Sequence, residues 1–107
     1  MNAQANLPWS EQFRVVALQW ADLEKAASLL EETKTLVLSQ RIKMLGEMPH
    51  NRAEAEVKAS PEWFDHVTKM VEARSAANVK KMQLEYLRMK FQEWSSENAN
   101  KRAEMRL

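Results

Sequence analysis

The chain contains no cysteine, a single glycine (Gly46) and three prolines, Pro8, Pro49 and Pro61. Without cysteine there are no disulfides, no thiolate metal ligands and no thiol nucleophile. Hairpins and tight turns need positive-φ positions, which glycine supplies most cheaply, so one glycine cannot serve a fold built from many turns. No run of about 18 apolar residues occurs, which leaves no segment able to span a bilayer as a helix. The opening MNAQANLPWSEQF lacks both a basic and an apolar region of the kind a secretory signal carries, so a cytoplasmic protein is expected. Also missing are a glycine-rich phosphate loop and any serine or histidine in a nucleophile motif.

What is present is a helix-forming composition. Apolar residues make up 45% of the 107 positions, enough for a core and for a single domain. Charged residues make up 29%, with a net charge of +1. The charge is uneven, because residues 80–107 hold seven basic and four acidic side chains. A dedicated duplex-binding domain is usually far more basic.

Two long segments repeat an alternating three-and-four spacing. The first runs Phe13, Val16, Trp20, Leu23, Ala27, Leu30, Lys34, Val37, Arg41, Met44. The second runs Trp63, His66, Met70, Ala73, Ala77, Lys80, Leu84, Leu87, Phe91, Trp94, Asn98, Lys101, Met105. Each is an a/d seam of coiled-coil type. Ser10 is placed to cap a first helix over about residues 11–46, with Gly46 as the residue that ends it and Pro49 blocking continuation. Asn51 followed by Glu54 reads as a capping box, so a short helix can form inside the break at about residues 47–60. SPEW opens a second helix over about residues 61–105, with Ser60 as cap, Pro61 in the first helical position and Glu62 in the first turn.

These segments predict an all-α chain: a long antiparallel helical hairpin, coiled-coil-like, that pairs into a dimeric helical bundle. Trp20, Leu23, Leu30, Leu84, Leu87, Phe91 and Trp94 form the expected core. The charge pattern predicts a register. Glu24 and Glu31 share one flank of the first helix, while Arg74, Lys81, Arg88 and Arg102 share the matching flank of the second. If residue i lies across from about residue 107 minus i, Glu31 falls between Arg74 and Lys81, and Glu24 between Lys81 and Arg88.

The apolar content exceeds what two helices can cover, since burying a Leu or Val is worth about 1.5–3 kcal/mol. Leu36, Leu38, Ile42, Leu45, Met82, Tyr86 and Met89 lie off the seam and are the candidate contact surface for a partner. A second copy is the simplest occupant, and the methionines suit an adaptable interface. Arg88, Lys90, Lys101, Arg102 and Arg106 are the candidate nucleic-acid contacts, with Trp94 or Tyr86 available to stack on bases. His50 and His66 are the only histidines and, without cysteine, make no metal site. No catalytic residue, cofactor or membrane contact is expected, and the chain reads as a non-enzyme.

At LEYLRMKFQEWSSENANKRAEMRL, preceded by VEARSAANVKKMQ, the chain resembles small helical proteins of tailed bacteriophages, often described only as coil-containing. The likeness covers about the last 45 residues and carries no catalytic signature. It implies a phage or prophage origin. It also implies action by binding another protein, either in phage DNA metabolism or on a host factor.

Overall fold

The structure, a computed structural model, describes residues 7–106. Within them the chain is all-α, with α1 (Trp9–Glu32), α2 (Lys34–Met44), α3 (His50–Lys58) and α4 (Pro61–Met105) and no strand among the described residues. It divides into two compact units. One combines the chain up to Ala21 with Asn78 onward; the other is Asp22–Ala77.

Helix ends follow local chemistry. α1 starts before the expected position: the Pro8 carbonyl accepts from the Gln12 N–H at 3.0 Å, so Pro8 rather than Ser10 occupies the cap. The expected single first helix is interrupted at Thr33, where the Thr33 hydroxyl donates to the Leu29 carbonyl at 2.7 Å. Such a bond back across one turn competes with the backbone ladder and bends helices. α2 closes through Leu45 and Gly46. Gly46 has φ of +80°, the left-handed conformation that glycine adopts without a Cβ penalty.

α3 begins at His50 with Pro49 as its cap, and no side chain caps it. Asn51 therefore sits inside the helix and the capping box with Glu54 does not form. Glu54 instead pairs with Lys58 at 2.8 Å, one turn later, and the lysine holds its carboxyl below the usual carboxylate range. At the α3–α4 junction Ser60 serves both ends. Its hydroxyl donates to the Val57 carbonyl at 2.6 Å and accepts from the Trp63 N–H at 3.2 Å. Pro61 follows as the first residue of α4, where its missing N–H costs nothing.

In the Asp22–Ala77 unit the buried residues are Ala27, Ala53, Val57, Trp63 and Ala77. α2 packs on α3. Arg74 bridges two carboxylates of α1, with Nη1 2.5 Å from Glu24 and Nη2 2.7 Å from Glu31. In the other unit Val16 is buried, and α1 and α4 run antiparallel. Trp9 meets Phe91 and Trp94 while Gln19, ten residues on, accepts from Lys80 at 2.9 Å.

The expected register places Glu31 beside Arg74, as the structure has it, but is corrected at Glu24. Glu24 reaches Arg74 and does not lie between Lys81 and Arg88. Arg88 instead bonds Glu85 on its own helix at 3.4 Å. The offset arises because α3 belongs to the returning arm and packs on α2, so the Glu24–Arg74 pair centres the fold-back near Pro49 and not midway between Gly46 and Pro61.

Candidate functional site

The seven candidate contact residues fall into two groups. Leu36, Leu38, Ile42 and Leu45 belong to the Asp22–Ala77 unit, where Leu36 and Leu45 are exposed while Leu38 and Ile42 are half-buried. An open cleft of about 300 Å³ lies beside Met44, Leu45 and Val57, with Arg41, Glu56 and Glu62 as its charged neighbours. Trp63 is buried and stacks on His66, ring centroids 5.6 Å apart. The His66 Nε2 is buried without a hydrogen-bond partner among the described residues.

Met82, Tyr86 and Met89 belong to the other unit, and Val79 joins them. The spacing from Val79 to Met89 runs three, four, three, so the side chains share one face of α4. Each is more than half exposed, Met82 the most at 62%. The polar chemistry near this row is slight. Lys90 Nζ lies 5.6 Å from the Tyr86 ring centroid, a cation–π distance.

The aromatics of the expected core split. Trp20, Leu23, Leu30, Leu84 and Leu87 are half-buried, but Phe91 and Trp94 remain exposed, Trp94 at 47%. They are not loose. Phe91 meets Trp9 edge-on at 6.1 Å and Phe13 at 6.3 Å, while Trp94 lies 6.3 Å from Trp9 and 5.9 Å from Phe91. Trp9 was not among the sequence candidates, although it stands one step of four before Phe13 and continues the seam. The expectation of a Ser10 cap placed it outside the helix.

The five candidate cations are all exposed. Two are engaged on their own helix, Arg88 with Glu85 and Lys90 with Tyr86. Lys101, Arg102 and Arg106 sit in the last turns of α4 and beyond, and none forms an ion pair among the described residues. Arg102 and Arg106, one turn apart, border a shallow depression with Ala99 and Ala103. Cations at a helix C-terminus also sit favourably against its dipole, a sufficient reason for their presence.

Among the described residues no group of three or more His, Asp or Glu side chains is arranged to hold a metal ion. Among the described residues no helix is long and apolar enough to cross a membrane. No family model, curated protein or solved structure matches this chain.

Proposed function

We propose that this chain is a non-enzymatic cytoplasmic accessory protein that acts by helix-mediated protein–protein binding, with the α4 row Val79, Met82, Tyr86 and Met89 as its docking face. The exposed row carries the reading. An apolar stripe at helical spacing is the form in which a helix receives another helix, and methionine and tyrosine suit an adaptable, partly polar contact. A second copy of the chain is the simplest occupant, giving a homodimer. Leu36 and Leu45 extend the candidate surface in the other unit. The resemblance of about the last 45 residues to small phage proteins favours a phage setting, with a phage DNA-metabolism protein or a host factor as the further partner.

The test is the solution mass at micromolar concentration, for the parent and for Met82→Glu/Tyr86→Glu. The expected result is a parent dimer and a monomeric variant of unchanged helicity. A monomeric parent removes self-association from the reading.

A second reading, nucleic-acid binding through the end of α4, is favoured by one observation: Lys101, Arg102 and Arg106 are exposed and without carboxylate partners among the described residues. Its signature is binding to single- or double-stranded DNA that weakens steeply with salt and is lost in Lys101→Ala/Arg102→Ala.

A further inference from the structure

A second surface lies beside the aromatic cluster of Trp9, Phe91 and Trp94. An open groove of about 370 Å³ is lined by Trp9 and Gln12 from α1 and by Lys90, Glu93, Trp94 and Glu97 from α4. Its walls are two indoles, and its charged groups are two carboxylates and one ammonium. Glu93 and Glu97, one turn apart on either side of Trp94, make no ion pair among the described residues. Gln12 donates one amide N–H to the Leu7 carbonyl at 2.8 Å, which anchors the side chain at the groove's edge. The one cation of the lining, Lys90, is directed back one turn over the Tyr86 ring.

Aromatic faces bounded by carboxylates attract a cation that brings its own donors. The ring quadrupole favours positive charge, and the carboxylates accept its N–H groups. We propose that this groove binds a basic side chain, an arginine guanidinium or lysine ammonium, presented by a partner protein. The proposal separates the tryptophans from base stacking. A nucleotide laid on Trp94 would bring its phosphates toward Glu93 and Glu97, with Lys90 the one cation in the groove's lining. The groove adjoins the α4 docking row through Lys90, which lies over Tyr86, but no residue of that row lines it.

The experiment titrates the full chain with capped hexa-arginine and, separately, with oligothymidine of matched length. The indole N–H resonances are followed by NMR, and the four tryptophans are assigned by Trp→Phe variants. Hexa-arginine is expected to shift Trp9 and Trp94 and to leave Trp63 in place. Glu93→Gln/Glu97→Gln is expected to weaken binding by about five- to tenfold with helicity unchanged. Both glutamates are exposed, so this variant folds independently of the outcome. The proposal is overturned if hexa-arginine moves neither indole, if the double variant binds as tightly as the parent, or if oligothymidine is the ligand that shifts Trp94. A chain that remains dimeric while ignoring hexa-arginine refutes this site and leaves the docking face standing.

Discussion

Replacing Trp63 and its neighbour Phe64 separately by alanine tests the helical phase on which the Asp22–Ala77 unit is built. Trp63 is 6% exposed and Phe64 is 73% exposed, although they adjoin in sequence. A buried aromatic removes about 150–250 Å² from water. At about 25 cal/mol per Å² this gives about 4–6 kcal/mol as an upper bound, and core substitutions of this type cost about 3–5 kcal/mol. The alanine keeps the backbone N–H that Ser60 caps, so the loss in Trp63→Ala is one of packing, including the stack on His66. Phe64→Ala loses little burial and gains helix propensity, which leaves it within about 0.5 kcal/mol of the parent. Urea unfolding followed by far-UV circular dichroism measures both. A domain of this size typically has about 5–15 kcal/mol of stability, so Trp63→Ala removes a large share of it. Equal losses for the two variants, or a loss below about 1 kcal/mol for Trp63→Ala, would refute the placement of α4.

Ala27→Leu overpacks a fully buried position and is expected to destabilise by about 1–3 kcal/mol, whereas Ala26→Leu, exposed next to it, leaves the urea midpoint unchanged. Gly46→Ala meets no neighbouring atom, so its expected cost of about 1–2 kcal/mol comes from the left-handed backbone alone; Gly46→Asn should cost less in the same assay. The Arg74 guanidinium holds the Glu31 carboxyl below the usual range by hydrogen bonding, so this contribution to stability is present above the ordinary glutamate pKa of about 4.3 and is lost as pH falls through the lower folded value. The stability gap between the parent and Arg74→Gln, measured by urea midpoints, should therefore be constant near neutrality and narrow in acid; a gap that widens in acid contradicts the pairing.

The seam was legible because packing on a helix repeats with the helix. Val16, Ala27, Trp63 and Ala77, four of the buried residues, lie on the three-and-four spacing read from sequence. Ser60 and Gly46 were legible because their roles rest on local chemistry, a hydroxyl cap and a positive φ. The break at Thr33 was not, since threonine is tolerated within helices and its bond back to Leu29 depends on a rotamer. The register was not legible either. It depends on where α2 and α3 spend their own surfaces, and α3 buries only Ala53 and Val57, one turn apart and too few to stand out as a stripe. For the proposed docking face, periodicity pointed to Met82, Tyr86 and Met89. It missed the groove at Trp9 and Trp94, which is assembled from residues about 85 positions apart.

The distribution of side-chain sizes ties the fold to its proposed role. Ala27, Ala53 and Ala77 occupy the most enclosed positions, and no large side chain is fully buried among the described residues. Large apolar groups lie outside instead, including Phe64, Met82, Tyr86 and Met89. Alanine permits close helix approach but removes little apolar area from water, and hydrophobic stabilisation scales with that area. A chain so arranged draws less from its own core than one with leucine in those places, and gains more when a partner covers its exposed faces. Binding that favours the folded state raises its apparent stability with partner concentration. If the partner is a second copy, the melting temperature should rise with protein concentration, and Met82→Glu/Tyr86→Glu should abolish that dependence while keeping the helical spectrum. A melting temperature independent of concentration for the parent would show that self-association contributes nothing to its folding, and would move the weight of the exposed α4 row to a different protein.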